Sequence, residues 1–393
     1  MPVRLVRMLN IEGIPHAFEL ALIQGLMILA LAIPVTVFPL RAFELLGDTQ
    51  QVSVLFTAVG VMGLGGALAL PYMLARQGRY RLIMLGFSGV LVSALLFPMD
   101  SGLAFFLAVV LYTWGFFAAD IVINMVIIER VGRRSFVRFE GVRMAVLGLA
   151  FALGPWAGVQ LSSLAGLWAP FAAMALLALS SGAWIVWRRY VTPARRMVRG
   201  HSNPLRFIPR FARQPRLRLA YVLALARSAW WSVFFIYTPI YCVNNGFTDA
   251  DAGLIISVGS LFVMLAPLWG RLGASLGMRR HLVIGYLATA VVSVAATLFA
   301  FLPDAVIGLI LVSCLCASWI DAVGNAPFVR AVHPHERAEM MSLYTTYREF
   351  GRIVPQSVFA VVLLVLPLST VFAWVGLGMA AGAWYSRYIP KRY

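Results

Sequence analysis

Residues 103–128 read LAFFLAVVLYTWGFFAADIVINMVII, and residues 305–328 read AVIGLILVSCLCASWIDAVGNAPF. Both stretches exceed the ~20 residues that carry a helix across a hydrocarbon core. Each holds one charged side chain, Asp120 in the first and Asp321 in the second. An Asn follows each Asp by four residues, Asn124 and Asn325, and the two pairs stand 201 residues apart. Further landmarks recur in the same order with offsets of 199 or 200: Pro39 with Pro239, Gly78 with Gly277, and Pro155 with Pro355. Self-similarity of this kind in a chain of apolar spans is the mark of a membrane bundle built from repeats, in which ligands sit where the repeats meet.

Composition agrees. The 393 residues are 61% hydrophobic and 12% charged, with a mean hydropathy of +0.86. So few polar groups cannot cover a water-soluble globule. The first long apolar run already has spanning length and no small-residue cleavage site after it, so no secretory signal peptide is expected. Cys242, Cys314 and Cys316 lie in or at the end of apolar runs, a placement that fits small buried side chains and neither a disulfide framework nor a zinc site.

Apolar runs predict spans near 15–40, 52–74, 82–98, 103–128, 143–162 and 168–187. A second set follows near 217–242, 252–273, 282–301, 305–328, 341–364 and 369–386. The reading is an all-α membrane protein with twelve transmembrane helices in two six-helix pseudosymmetric bundles, residues 1–188 and 217–393, joined by an Arg/Pro-rich cytoplasmic linker over 189–216. The net charge of +17 is distributed as a membrane protein distributes it. Arg76, Arg79 and Arg81 flank one turn, and Arg130, Arg133, Arg134 and Arg138 flank another. Ten arginines and no acid lie between Arg188 and Arg218. The alternate turns hold Glu44, Asp48, Asp100, Asp249, Asp251 and Asp304, with Arg41 as the lone exception. Cationic flanks stay on the cytoplasmic side, which places both termini there in a bacterial-type inner (plasma) membrane and argues against nucleic acid as the partner of the basic charge.

Two turns carry a recognisable pattern. After the second span the chain reads Pro71-Tyr72-Met73-Leu74-Ala75-Arg76-Gln77-Gly78-Arg79-Tyr80-Arg81. After the eighth it reads Gly270-Arg271-Leu272-Gly273-Ala274-Ser275-Leu276-Gly277-Met278-Arg279-Arg280. These resemble the cytoplasmic-loop signature of the major facilitator superfamily, with Ala75 and Ala274 where the family has Asp and Pro71 in place of its first Gly. In the fifth span Gly141, Ala150, Gly154-Pro155 and Gly158 are similar to the family's antiporter pattern, with Ala150 and Val159 each replacing a Gly. The resemblance implies the major facilitator fold and a gate or latch at the turns. Gly78 and Gly277 would allow the tight bends, and Arg79 and Arg81 would face Glu129. It also implies that spans one, four, seven and ten line a central cavity, so that the two Asp–Asn pairs face one another.

Charged groups inside a bilayer are costly and mark pathways by default. On a continuous helix, i and i+4 share a face, which stacks Asn124 on Asp120 and Asn325 on Asp321. Such carboxylates could carry protons, ligate a cation through hard oxygens, or satisfy a neighbouring Arg. Glu349 and Glu19 are further proton-coupling candidates. Arg227, ten residues into the seventh span and followed by Trp230 and Trp231, could clamp a carboxylate-bearing solute against an indole wall, or lock the bundle by pairing with an acid. Arg348 and Arg352 share one face of the eleventh span, and Glu349 points elsewhere.

These features predict a secondary active transporter, coupled to protons and exporting a small organic solute by alternating access. An uptake carrier for a small metabolite or anion, and a non-transporting scaffold or receptor that retains the fold, are the alternatives. No P-loop is present, and no nucleophile, base and orienting group converge, so neither ATP-driven transport nor enzymatic activity is expected. The expected partners are the solute, protons and the lipid bilayer, with the protein as a monomer and no cofactor or metal.

Overall fold

The computed structural model describes residues 17–131, 136–191, 207–333 and 337–390. Arg133, Arg134 and most of the expected linker lie outside the described residues, and so does the side chain of Arg138. All regular structure among the described residues is helical. In the first half it comprises α1 (Ala17–Ala32), α2 (Val37–Leu46), α3 (Thr49–Leu96), α4 (Gly102–Val131), α5 (Phe136–Ala165) and α6 (Trp168–Trp187). There follow α7 (Ile208–Arg213), α8 (Pro215–Asn244), α9 (Asp249–Leu261), α10 (Ala266–Leu276), α11 (Met278–Leu298) and α12 (Pro303–Asp321). The chain continues through α13 (Ala326–Ala331), α14 (Arg337–Tyr344), α15 (Tyr347–Val362) and α16 (Thr370–Ser386).

Among the described residues, ten helical segments are long and apolar enough to cross a membrane. The two C-terminal stretches also expected to span, α15 and α16, have 16 and 17 residues. Backbone chemistry explains where the spans are cut. Pro34 follows the end of α1, Pro267 opens α10 after a short 3-10 turn, and proline removes a helical N–H while crowding the preceding turn. Gly78, inside α3, adopts φ 78° and ψ 169°. Gly277, between α10 and α11, adopts φ 77° and ψ 146°. This is a region of backbone space open essentially to glycine alone, and its use at both turns makes the repeat visible in geometry as well as in sequence.

The chain packs as two compact units: residues 1–37 with 65–199, and residues 38–64 with 200–393. In the first, α5 meets α1 almost backbone to backbone. A Cβ on Gly158 would fall 1.8 Å from the Ile33 carbonyl oxygen, and one on Gly154 would fall 2.6 Å from the Ala32 Cβ. The antiporter-like pattern therefore marks a contact that only hydrogen side chains permit. Phe97 stacks on Phe171 with centroids 4.6 Å apart, closing the far end of that unit.

In the second unit the core gathers on Trp230, Phe234, Tyr237, Tyr286 and Met379. Residues 49–64 of α3 belong to this unit. The Gln50 side chain donates to the Ala360 carbonyl at 3.0 Å, and the Ser53 and Tyr237 hydroxyls lie 2.8 Å apart. Gly60 sits directly against Ile353. Arg41, the exception to the charge asymmetry, is buried and donates to Glu44 at 2.8 Å.

Candidate functional site

The Asp of α12 and the Arg of α8 meet. Arg227 Nη1 donates to Asp321 Oδ1 at 3.1 Å, and Trp231 Nε1, one turn further along α8, donates to Asp321 Oδ2 at 2.9 Å. The side chains of Arg227 and Asp321 are 12% and 18% exposed. Arg227 also donates to the Tyr347 hydroxyl at 3.4 Å and lies 6.0 Å from the centre of that ring. Of the two roles open to Arg227, pairing with an acid is the one realised in this conformation. Trp230 departs from its expected place in a cavity wall. It is buried in the core, with its Nε1 donating to Ser293 at 3.0 Å, because neighbouring residues on a helix point about 100° apart and only Trp231 can follow Arg227 toward α12.

Asn325 also departs from expectation. The helix ends at Asp321, and Asn325 lies beyond a turn that contains Gly324 at φ 53°, so acid and amide do not stack on one helical face. Pro327 lacks the N–H that would continue the helix back to Val323, and its ring crowds that carbonyl. Asn325 instead accepts a hydrogen bond from the Tyr344 hydroxyl at 3.3 Å. In the first unit no proline intervenes and α4 runs unbroken through Asp120 and Asn124. Even there Asn124 Nδ2 donates to the main-chain oxygen of Asp120 at 2.8 Å, while its Oδ1 accepts from Arg143 at 3.2 Å. Asp120 and Arg143 both make further interactions.

A polar seam joins α8 and α15. The Tyr221 and Thr346 hydroxyls are 3.0 Å apart, and Gln356 donates to Ser232 at 2.8 Å. Gly351 presses on Ser228 between them. Beside this seam Glu349 is buried at 5% exposure, and its Oε2 has no hydrogen-bond donor among the described residues. Arg348 and Arg352 are exposed, which agrees with their expected separation from Glu349.

Glu19 occupies a different setting. Its carboxylate accepts from Trp184 Nε1 at 2.9 Å, from Tyr190 at 2.7 Å, and from Arg188 through both Nε and Nη2. Saturated in this way, it ties the start of α1 to the end of α6. Burial, reinforced by the neighbouring Glu19 carboxylate, pushes the Tyr190 hydroxyl up to about 12. At the Gly78 turn Arg79 grips Glu129 bidentately, at 2.7 and 2.6 Å, and Arg81 is exposed outside that pair.

The sequence reading missed Arg143, the partner of Asn124, because an Arg at the start of a span reads as a cytoplasmic flank. Tyr347, which accepts from Arg227, was missed as well, because a tyrosine near the start of a span gives no signal of its partner. Trp184, Arg188 and Tyr190 gave no signal, because they reach Glu19 across more than 160 residues of chain.

In sequence, no curated protein matches the chain. Among solved structures it is similar to the nucleoside transporter NupG, with 13% identity, TM-score 0.71, and 95% and 98% of the two chains covered. A POT family transporter in complex with 5-aminolevulinic acid aligns at 11% identity and TM-score 0.72, over 92% of this chain and 94% of that one. A mutant of the peptide transporter POT in complex with alafosfalin aligns at 14% identity and TM-score 0.69, over 96% and 94%. The family model of the Major Facilitator Superfamily matches residues 20–355. With the spans, the repeated glycine turns and the intramembrane ion pair in place, the chain belongs to the major facilitator superfamily and is an integral membrane protein.

Proposed function

We propose that this protein is a proton-coupled secondary transporter that exports a small organic solute by alternating access. The proposed architecture is twelve spans in two six-helix bundles, residues 1–188 and 217–393, with both termini in the cytoplasm of a bacterial-type inner membrane. The observation that carries the reading is the half-saturated acid pair of the second unit. Asp321 is neutralised by Arg227 and held by Trp231, while Glu349 is buried with a bare oxygen. An ionised carboxylate without a donor is expensive in such surroundings, and a protonated one is not. In this reading Glu349 carries the proton, and Asp321 releases Arg227 when a solute carboxylate or a second proton competes for it. A gradient can drive this, since one charge moving through 100 mV releases about 2.3 kcal/mol.

Asp120 and Asn124, the latter bonded to Arg143, are assigned to the solute pathway of the first bundle. The exposed pair Arg348 and Arg352 favours an anionic group on the solute, and equally suits an uptake carrier for a metabolite anion; counterflow in oriented vesicles separates the two directions.

The test uses purified protein in proteoliposomes with an imposed pH gradient. Radiolabelled nucleoside and peptide serve as the first probes, being the classes for which the structural neighbours are named. Glu349→Gln should abolish gradient-driven accumulation while leaving solute exchange. Accumulation that survives both Glu349→Gln and Asp321→Asn overturns the coupling assignment.

A further inference from the structure

The turn between α10 and α11 opens into a cleft of about 550 Å³ whose walls include Arg279, Arg280 and Arg387, with Val283 and Ile284 along one side. No Asp or Glu lines it. Arg280 and Arg387 are exposed, and Arg387 lies over the Trp384 ring at 5.0 Å. The internal repeat explains why these charges stand uncompensated. At the equivalent turn of the first half, Arg79 is neutralised by Glu129. The residue 201 positions after Glu129, at the offset that relates Asp120 to Asp321, is Arg330. The second half has a base at that position, and among the described residues no acid lines the cleft to compensate these arginines.

We propose that the cleft binds the phosphate of an anionic phospholipid. Guanidinium groups match phosphate oxygens in geometry and charge. The cleft opens onto a row of side chains that lipid would cover: Ile284, Leu287 and Val291 are 47, 49 and 59% exposed and follow Arg280 at spacings of four, three and four. One face of α11 therefore offers a headgroup site at its end and an acyl track along its length. The exposed Trp384, Tyr385 and Tyr388 beside Arg387 are of the residue types that anchor at the headgroup level. A soluble phosphate would use the arginines and leave the apolar row idle, and for that reason the lipid is the assigned occupant.

Native mass spectrometry of the purified full-length protein, released from micelles doped with phosphatidylglycerol or phosphatidylcholine, reads the retained lipid. The wild type should hold phosphatidylglycerol over phosphatidylcholine. Arg279→Ala/Arg280→Ala/Arg387→Ala should hold it about 100-fold less tightly, at about 1 kcal/mol for each arginine near the surface. Arg280→Ala and Arg387→Ala, both at exposed positions, give graded losses if the triple variant does not purify. Equal retention by wild type and variants, or no preference between the two lipids, overturns the proposal. Displacement of the lipid by millimolar glycerol phosphate reassigns the cleft to a soluble phosphate and also overturns it.

Discussion

Removing both members of the Arg227–Asp321 pair should cost less than the sum of removing each alone. At an N–O separation of 3.1 Å and an effective dielectric of about 20, the direct attraction is about 5 kcal/mol, most of it offset by the desolvation of two groups that are 12% and 18% exposed. Arg227→Met strands the Asp321 carboxylate, but Trp231 still donates to it at 2.9 Å. The expected loss therefore lies at the low end of the 3–5 kcal/mol range for broken buried pairs, about 3 kcal/mol. Asp321→Asn strands the guanidinium, with only the 3.4 Å bond to Tyr347, and should cost about 3 to 4 kcal/mol. The double variant Arg227→Met/Asp321→Asn leaves no buried charge, and should fall short of the summed losses by about 2 kcal/mol. Reversible unfolding in mixed micelles, followed by tryptophan fluorescence, provides the four free energies. Salt sharpens the test, because a buried pair keeps its coupling at high ionic strength while a surface pair such as Arg79–Glu129 loses it. Losses that add within about 0.5 kcal/mol, or a coupling that vanishes in salt, would refute the view that these groups form one buried, charge-compensated unit.

Glu19→Gln should lower stability by about 1 kcal/mol, discounted for the exposure of Arg188, and leave pH-driven transport unchanged; a loss of proton coupling with fold intact would restore Glu19 as a coupling acid. Gly158→Ala places a methyl group on the Ile33 carbonyl and should cost about 1 to 3 kcal/mol through forced separation of α1 and α5, measured by the same unfolding assay, whereas a neutral effect would mean that the two helices do not meet there. Gln50→Cys with Ala360→Cys, joined by a short reducible cross-linker, should stop solute flux, and reduction should restore it. Unimpeded flux in the bridged protein would show that this contact does not open during the cycle.

The helical class, the membrane and the repeat were legible because each rests on many residues at once. Long apolar runs, arginine flanks and four landmark pairs do not depend on any one contact. The pairing of Arg79 with Glu129 was legible through the resemblance of its turn to the family's loop signature, whose basic residues face an acid at the end of the fourth span. The partner of Asp321 was readable only as one of two options, because a sequence shows that an intramembrane Arg needs an anion and does not show whether the protein or the solute provides it. The break after Asp321 was encoded in Gly324 and Pro327, but an i,i+4 argument assumes an unbroken helix and overlooks the proline six residues on. Glu19 was named as a proton-coupling candidate, and its surroundings were not legible because the three side chains that saturate it come from another helix and its end.

The interrupted end of α12 makes the two halves mechanically unequal. Asp120 rides on a stiff rod of thirty residues, so a push on the end of α4 arrives at that carboxylate undiminished. Asp321 stands at an articulated joint, and the backbone of residues 322–325 absorbs a displacement of α13 before it reaches the acid. The repeat thus supplies one lever and one elbow at matching positions of its two halves, with the proline deciding which is which.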